Sequence, residues 1–283
     1  MSMRIDLHTH SNVSDGTQSP AEVIDSASGT GLDVVALTDH DTTAGWDEAA
    51  AAARHHRIAL VRGIEISCQH QGVSVHLLGY LLDPDAPGLL EELERSRESR
   101  VSRAQRIVEL LSRDLPLTWD DVLKQVEPGA TIGRPHIADA MVAKAIVTSR
   151  GMAFQDYLYD GSRYYVSHYA PDPVSAVRLV VAAGGVAVMA HPFAGIRGRV
   201  VADTVIEAMA EAGMAGLEVH HRDHDPAGVR HGLDLAASLD LMVTGSSDYH
   251  GAGKVNRLGE NTTDPSVLQR IEELARGVGV LRT

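Results

Sequence analysis

The 283-residue sequence has a single cysteine, Cys68, and only 4% aromatic residues. One cysteine cannot form an intramolecular disulfide, so nothing in the sequence indicates an oxidising compartment. No apolar run is long enough to cross a bilayer. The N-terminus also lacks the basic stretch, apolar run and cleavage site of a signal peptide. We therefore expect a cytoplasmic protein with no membrane partner.

Positive charge is scarce as well. The sequence has 25 Lys and Arg against 38 Asp and Glu, which gives a formal net charge of -13 with histidine neutral. Tight binding of duplex nucleic acid needs a basic surface, so we exclude a duplex partner. Part of the negative charge can lie in a metal site, where cations neutralise it. Histidine is abundant, with 15 residues, and imidazole is the commonest metal ligand.

Short apolar segments alternate with helical segments over most of the chain. The predicted strands are residues 4–8, 34–38, 59–66, 73–80, 186–190, 216–220 and 241–245, with an eighth candidate at 278–281. The predicted helices between them are residues 20–30, 44–56, 173–183, 202–212, 226–239 and 265–276. This alternation is typical of a parallel sheet with helices outside it, and seven or eight units favour a closed or nearly closed barrel. The sequence therefore predicts an α/β barrel built from residues 1–83 and 171–283.

The alternation stops between residues 84 and 170, where the pattern is helical throughout. Helices are predicted at residues 88–113, 119–126, 135–144 and 152–159, and the first of them is rich in Glu and Arg. We interpret this region as a helical insertion that caps the active site of the barrel, rather than as an independent domain.

Nearly every predicted strand carries a histidine or a carboxylate at or near its C-terminal end. These residues are His8, His10, Asp15, Asp39, His40, Asp41, Glu65, His76, His191, Glu218, His220, His221, Asp248 and His250. In a parallel barrel the C-terminal ends of the strands converge on one face, where active sites lie. The set contains only nitrogen and oxygen ligands, which suit manganese, iron or zinc, and it exceeds what one ion can use. The sequence thus predicts several metal ions close together.

The motifs that contain these residues resemble those of the polymerase and histidinol phosphatase (PHP) superfamily. They are DLHTHS at 6–11, SDG at 14–16, TDHD at 38–41, GIEI at 63–66, AHP at 190–192 and SDYHG at 247–251. The resemblance implies a distorted (β/α)7, TIM-like barrel with two or three divalent metal ions. We expect manganese, with iron and zinc as alternatives. It also implies that the protein is an enzyme, a metal-dependent phosphatase or phosphodiesterase.

The resemblance implies nine metal ligands, and all nine positions hold competent side chains. The implied sets are His8, His10, Glu65 and Asp248 for the first ion, Asp15, His40 and His250 for the second, and Glu65, His76 and His191 for the third. Asp248 would also bridge to the second ion, and Glu65 would bridge to the third. We therefore also count Glu65 and Asp248 as catalytic.

Clustered divalent ions lower the pKa of a bridging water, and the resulting hydroxide would attack phosphorus. Asp41 follows the implied ligand His40 and is a further catalytic candidate, which would orient the water or contact a substrate hydroxyl. A helix cap is an equally good interpretation of Asp41.

The helical insertion resembles that of stand-alone enzymes that act on nucleotides, namely nucleoside 3',5'-bisphosphate phosphatases and 5'-3' exoribonucleases. A second phosphate on the substrate would need fixed positive charge, which arginine supplies with a planar, bidentate fork. The candidate substrate-binding residues are Arg100, Arg103, Arg134, Pro135, His136, Arg197 and also Asp41. We expect hydrolysis of phosphate monoesters of small nucleotides, in particular the 3'-phosphate of bisphosphates, and of short oligonucleotides.

Three other functions are compatible with the sequence. Histidinol phosphate would use the same chemistry on a different substrate. An amidohydrolase would cleave a C–N bond, but such enzymes usually carry a carbamylated lysine on a strand. Lys124, Lys144 and Lys254 lie outside the predicted strands. A non-catalytic metal-binding module is the third alternative, although such modules often lack ligands that are present here.

Overall fold

The computed structural model describes residues 3–282. Seven strands form one sheet whose spatial order follows the order in the chain. They are β1 (Ile5–Asp6), β2 (Val34–Leu37), β3 (Ala59–His70), β4 (Val73–Tyr80), β5 (Val186–Ala190), β6 (Gly216–His220) and β7 (Met242–Gly245). A parallel bridge between Thr9 and Tyr249 joins the chain just after β1 to the chain just after β7. The sheet is therefore a nearly closed barrel, and the predicted α/β class is confirmed.

The orientation of β4 differs from the prediction of an all-parallel barrel. β4 runs antiparallel to both β3 and β5. The reason is that β3 extends to His70 and meets β4 through a two-residue turn, Gln71 and Gly72, which both have positive φ. Such a tight turn joins only antiparallel strands, whereas parallel neighbours need a long crossover. The sequence prediction ended this strand at residue 66 and so missed the hairpin.

The eighth candidate strand, at residues 278–281, is also wrong. Within the described residues this segment makes a single isolated antiparallel bridge, between Leu281 and Leu60. The backbone amide and carbonyl of Leu281 exchange hydrogen bonds of 2.9 Å with those of Leu60. The C-terminal segment thus pairs with the start of β3 at one residue and adds no strand to the sheet.

Helices lie outside the barrel between successive strands. They are α1 (Pro20–Gly29), α2 (Trp46–His56), α7 (Pro173–Ala182), α8 (Asp203–Glu211), α9 (Pro226–Ser238) and α10 (Pro265–Leu274). α7, α9 and α10 each begin with an Asp-Pro pair, in which the aspartate side chain accepts a backbone N–H of the first turn. Aspartate is a preferred N-cap and proline fits the first helical position, so these sequence signals fix where the helices start.

Residues between β4 and α7 form the helices α3 (Pro87–Leu111), α4 (Trp119–Leu123), α5 (Arg134–Ala143) and α6 (Arg150–Ala153), followed by a π-helical turn (Phe154–Leu158). These helices enclose a hydrophobic cluster of their own, which includes Ile107, Leu111, Ile137 and Met141. The cluster is separate from the three clusters around the sheet. In the part of the chain that the structure describes, no helix has the length and apolar character needed to span a membrane.

The barrel interior is filled by apolar side chains and by one buried tyrosine. Tyr80, near the end of β4, is fully buried and its hydroxyl donates a hydrogen bond of 3.0 Å to the carbonyl of Leu7. This contact links the antiparallel strand β4 to the chain just after β1.

Candidate metal centre and active site

Glu65, on β3, lies at the centre of a cluster of histidines at one end of the barrel. Its side chain is 1% exposed. Five imidazole nitrogens lie within 3.3 Å of its two oxygens: His8 Nε2 (3.2 Å), His10 Nε2 (3.0 Å) and His40 Nδ1 (3.3 Å) at Oε2, and His76 Nδ1 (2.8 Å) and His191 Nε2 (3.3 Å) at Oε1. One carboxylate cannot satisfy five imidazoles by hydrogen bonds alone, so their lone pairs converge on a common volume.

The strand ends position these side chains. His8 and His10 follow β1, His40 follows β2 and pairs with Glu65 in a parallel bridge, and His191 follows β5. His191 and Asp248 both have positive φ, at 31° and 53°. Positive φ is uncommon for residues other than glycine and costs free energy, and such strain is concentrated at functional sites. The chain therefore turns sharply where β5 and β7 present these two side chains.

Three groups of side chains place their ligand atoms within 4.8 Å of one another. The groups are His8, His10, Glu65 and Asp248; His10, Asp15, His40 and His250; and His40, Glu65 and His76. The first is identical to the set implied for the first ion. The second adds His10 to the implied set. The third has His40 in place of His191, whose Nε2 still lies 3.3 Å from Glu65.

Two buried polar atoms support a cation at the second group. Asp15 Oδ1 and His250 Nε2 lie 3.2 Å apart, and neither makes a hydrogen bond within the described residues. Buried polar groups without partners are rare in native proteins, and a bound ion is one explanation for them. In the first group, His8 Nε2 and His10 Nε2 lie only 3.0 Å apart. A nitrogen and oxygen donor set of this kind fits divalent manganese, iron or zinc.

The electrostatics of the cluster also favour cations. Burial, and then the positive charges of Lys254 and Arg197 respectively, lower the pKa of His250 to about 4 and that of His191 well below its usual range. Both imidazoles are therefore neutral, as metal ligands must be. His8 behaves differently: burial is outweighed by Glu218 and other carboxylates, so its pKa is raised well above the usual range. A positive charge is thus stabilised at this point of the cluster.

Glu218, on β6, contacts His8 of the first group and holds its ring in place. Its Oε1 lies 3.0 Å from His8 Nδ1 and accepts a hydrogen bond of 2.7 Å from the Ser246 hydroxyl. Its Oε2 accepts a hydrogen bond of 2.8 Å from the backbone N–H of His191. One buried carboxylate therefore orients a side chain after β1 and the backbone after β5.

Sequence reasoning had also placed His220 near the site, and the structure does not. A register shift between Glu218 and His220 marks a β-bulge in β6, and the side chain of His220 is exposed. His221 is buried instead, with Nε2 3.6 Å from Asp248 Oδ2 and its ring 5.4 Å from that of His191. A bulge inserts one residue and re-aims the side chains that follow, which strand periodicity alone cannot reveal.

Two basic side chains contact Asp248 on Oδ2, whereas His8 and His10 lie 3.5 Å from Oδ1. Arg197 and Lys254 donate hydrogen bonds of 2.6 Å and 3.0 Å to Asp248 Oδ2. Arg197 also donates to Asp223 at 2.6 Å. Arg197, a predicted substrate ligand, thus already binds two carboxylates, through Nε and Nη2. Lys254 was not predicted at all.

A cavity of about 390 Å³ opens beside the metal centre, between the barrel and the insertion. We call it the arginine cavity. It is lined by Asp15, His40 and His76 on one side and by Arg100, Arg103, Arg134, Pro135, Arg150 and His168 on the other. Four of the predicted substrate residues, Arg100, Arg103, Arg134 and Pro135, are thus brought together. Arg150, which pairs with Asp139 and donates to the carbonyl of Asp15, was missed.

Arg103 carries the clearest excess of positive charge in the arginine cavity. Arg100 pairs with Asp41 and Arg134 pairs with Asp160. Among residues 3–282, no carboxylate lies within ion-pair distance of Arg103, which donates to the carbonyl of Val166 at 2.8 Å. Burial, and then Arg134 and Arg100, lower its pKa to about 10. A buried excess of positive charge is the environment in which an anion binds well.

Asp41 and His136 lie outside the cavity lining. Asp41 is fully buried, and its carboxylate accepts hydrogen bonds from the Ser67 N–H at 2.9 Å and from Arg100 Nε at 2.7 Å. It does not cap α2, whose N-cap is Gly45. His136 is 4% exposed, and its Nδ1 accepts the N–H of Gly133 at the start of α5. Asp41 thus binds Arg100, and His136 binds the backbone at the start of α5.

Known proteins are similar to this chain over most of its length. A 3',5'-nucleoside bisphosphate phosphatase of Chromobacterium violaceum is 35% identical over 92% of this chain and 92% of its own length. A 5'-3' exoribonuclease of Haemophilus influenzae is 32% identical over 92% of this chain and 95% of its own. The solved structure of an inferred metal-dependent phosphoesterase from Bifidobacterium adolescentis is 42% identical, covers 98% of both chains and superposes with a TM-score of 0.95.

A family model described as the PHP domain matches residues 6–132. This match contains the first strands of the barrel and, with them, the residues that surround Glu65 from β1, β2 and β4. Together with the relatives that align over nine-tenths of the chain, it agrees with the geometry of the metal centre. The chain therefore belongs to the PHP family, and it is a metal-dependent phosphoesterase.

Proposed function

We propose that this phosphoesterase removes the 3'-phosphate from nucleoside 3',5'-bisphosphates. We propose that it also acts on short oligonucleotides that, like the bisphosphates, carry a 5'-phosphate. The observation that carries the proposal is the arginine cavity, whose excess positive charge at Arg103 lies beside the metal centre. A substrate with one phosphate at the metal centre and another about one nucleoside away would fill both places. The named activities of the Chromobacterium and Haemophilus relatives support this substrate class.

The residues around Glu65 would hold two or three divalent ions, with manganese proposed first and iron or zinc as alternatives. The proposed ligands are His8, His10, Asp15, His40, Glu65, His76, His191, Asp248 and His250. When bound, the ions would supply Lewis acidity toward the phosphoryl oxygens and activate water. Glu65 and Asp248, at the centre of the cluster, would contribute to catalysis by binding the ions.

The arginine cavity would bind the phosphate that is not hydrolysed. Arg103 and Arg134 are proposed to contact it directly, with Pro135 shaping the start of α5 beside them. Arg100 would contact it from the adjacent turn of α3, while Asp41 holds the Arg100 guanidinium in place. Asp41 therefore acts as a positioning residue. Its carboxylate faces Ser67 and Arg100, away from the space that the cavity encloses.

A substrate screen tests the proposal. The purified protein, loaded with manganese, would be assayed for phosphate release from adenosine 3',5'-bisphosphate, adenosine 5'-monophosphate and histidinol phosphate, and for amine release from an amide substrate. We expect the highest kcat/KM with the bisphosphate and loss of turnover after chelation, with recovery when manganese is added back. Preference for histidinol phosphate, cleavage of the amide, or full activity after thorough metal removal would each contradict the proposal.

Arg103→Met sharpens the same test. This change removes the charge that lacks a carboxylate partner but keeps an unbranched side chain of similar length. We expect kcat/KM for the bisphosphate to fall at least tenfold, since a charge-assisted hydrogen bond contributes roughly 1.5–3 kcal/mol. Turnover of p-nitrophenyl phosphate, which has no second phosphate, should change little. Arg113→Met, just beyond the end of α3, is the matched control.

A further inference from the structure

A second cavity, larger than the arginine cavity, opens over the end of β5. We call it the β5 cavity; its volume is about 770 Å³. It is bounded by the β3–β4 hairpin, by residues of the insertion and by the loop that follows β5. Cavities of 300–1,000 Å³ are typical of sites for small organic ligands. The β5 cavity is therefore large enough to hold a nucleoside.

The two cavities share part of their lining, which includes Arg134 and Tyr165 from the insertion and His76 at the metal centre. Asp15 and His40 line the arginine cavity, His191 lines the β5 cavity, and His76 lines both. A phosphorus atom held by these residues would thus have open space on two sides. A phosphate monoester has one organic substituent and would occupy only one of these spaces. A phosphodiester has two substituents and would occupy both.

We propose that, when the substrate is a 5'-phosphorylated oligonucleotide, the β5 cavity binds the nucleoside on the far side of the scissile phosphodiester, with Arg199 as its charged contact. This inference rests on the proposed function, because it takes the 5'-phosphate to lie in the arginine cavity. It adds a second nucleoside site, and it names the residues that recognise the part of the substrate absent from a bisphosphate.

The bond that breaks is the same for both substrates. The oxygen of water forms a bond to phosphorus, and the bond between phosphorus and O3' of the nucleoside next to the arginine cavity breaks. O3' leaves with a proton, which balances the proton that water loses. A bisphosphate gives a nucleoside 5'-monophosphate and inorganic phosphate. A dinucleotide gives one nucleoside 5'-monophosphate from its first nucleoside and a second that carries the former bridging phosphate.

Arg199 is one of the charged side chains that line the β5 cavity, together with Arg134, Asp160 and Arg197. Its Nη2 donates a hydrogen bond of 3.1 Å to the carbonyl of Gly72 in the β3–β4 turn. In the described part of the chain no carboxylate forms an ion pair with it, in contrast to Arg197 two residues earlier, which binds Asp223 and Asp248. The charge of Arg199 is therefore free to contact a phosphate or a ribose hydroxyl.

Tyr165 and Val200 give the β5 cavity apolar surface for a base. Tyr165 lies at the boundary with the arginine cavity, and Val200 lies in the loop after β5 and is 48% exposed. Single-stranded nucleic acids are bound by aromatic stacking combined with basic side chains, and both occur here. The combination is tolerant of base identity, so we expect little sequence preference at this position.

The experiment compares two substrates in the manganese-loaded enzyme: adenosine 3',5'-bisphosphate and the 5'-phosphorylated dinucleotide pApA. Arg199→Ala should lower kcat/KM for the dinucleotide about tenfold, the loss expected for one charge-assisted contact. It should change kcat/KM for the bisphosphate less than twofold. Val200→Trp, which fills the cavity from its exposed wall, should act in the same selective way. Arg230→Ala, an exposed arginine on α9, is the matched control.

The outcomes separate this inference from the proposed function. Hydrolysis of the bisphosphate without the dinucleotide would overturn the inference and leave the proposed function intact. Equal effects of Arg199→Ala and Val200→Trp on both substrates would also overturn it, because the β5 cavity would then not discriminate between them. Failure of both substrates would contradict the proposed function itself. Selective loss on the dinucleotide, with Arg230→Ala unchanged, supports the inference.

Discussion

His8 Nδ1 lies 3.0 Å from Glu218 Oε1, and both side chains are fully buried. The pKa of Glu218 is held well below its usual range, since His8 outweighs the effect of burial. An ionised carboxylate can only accept hydrogen bonds, so Nδ1 of His8 keeps its proton and Nε2 is the nitrogen that loses its proton when an ion binds. The lone pair of Nε2 then points to Glu65 and His10, where the first metal ion is proposed to bind.

Glu218→Gln should weaken metal binding without removing a ligand. The amide NH2 can donate to His8 Nδ1, which favours the imidazole form with its proton on Nε2 and blocks the metal-binding lone pair. Loss of such an outer partner typically costs 10–100-fold in metal affinity. Manganese titration of the metal-stripped protein measures the effect. Glu260→Gln, which alters a surface pair with Arg222, is the control; equal affinities in the two variants would contradict the prediction.

Asp41→Asn should raise KM for a nucleoside bisphosphate and leave kcat and metal content nearly unchanged. Asp41 has φ of 54°, a conformation that asparagine also tolerates, so the backbone should keep its course. The neutral amide holds Arg100 less firmly than the carboxylate does. We expect an increase in KM of about tenfold, corresponding to roughly 1.4 kcal/mol.

The matched control for Asp41→Asn lies on the same helix. Glu109→Gln alters a carboxylate that pairs at 2.7 Å with Arg106, another arginine of α3, but at the exposed surface. Exposed pairs of this kind contribute little, so its kinetics should equal those of the unchanged enzyme. A fall in kcat with unchanged KM for Asp41→Asn would instead assign Asp41 to the chemical step, as the sequence alone suggested.

The sequence predicted the metal centre well because strand ends converge in a barrel. His8, His40 and His191 follow strands that run in the same direction, so their proximity follows from topology. His76 reaches the centre for a different reason. β4 is antiparallel, so its first half lies beside the ends of its neighbours, with His76 opposite Ser67 and Ala190. Its place among the ligands was implied by the family resemblance, not by the strand pattern.

Features that depend on long-range packing escaped the sequence. Arg150 approaches Asp15 from α6, more than a hundred residues away in the chain, and no local pattern marks it. His221 replaces His220 through a single inserted residue in β6. Asp39, by contrast, was noted at its strand end but without a role: it accepts hydrogen bonds from Ser11 and Ser14, and thereby holds the loop that carries Asp15.

Tyr80→Phe should lower the free energy of unfolding by about 1 kcal/mol. The substitution removes only the buried hydroxyl that donates to the Leu7 carbonyl at 3.0 Å. An intramolecular hydrogen bond contributes roughly 0.5–1.5 kcal/mol net, and the unsatisfied carbonyl adds to the loss. Urea unfolding measures the change. Tyr159→Phe, at a side chain that is 50% exposed, is the control; equal stability of the two variants would show that the Tyr80 contact contributes nothing.

His168→Gln should make stability less sensitive to acid. Burial, and then Arg103, Arg100 and Arg134, lower the pKa of His168 from 6.5 to about 3, and its Nδ1 is buried without a hydrogen-bond partner in the described residues. The unfolded chain therefore binds a proton near pH 6.5, whereas the folded chain binds it only near pH 3. Between these values the unfolded state carries more protons, so His168 destabilises the folded state progressively as the pH falls.

Glutamine cannot take up this proton, so the variant should gain stability relative to the unchanged protein on going from pH 7.5 to pH 5. Above pH 6.5 the histidine is neutral in both states, and the difference between the two proteins should not depend on pH. Urea unfolding at both pH values gives the comparison, and because other titrating groups are shared, their contributions cancel. His55→Gln, at an exposed position of α2, should show no such gain. Parallel loss of stability by His168→Gln and the unchanged protein between pH 7.5 and pH 5 would contradict the prediction. It would mean that the arginine cavity does not hold His168 neutral. The excess of positive charge proposed to bind the second phosphate would then be neutralised in some other way.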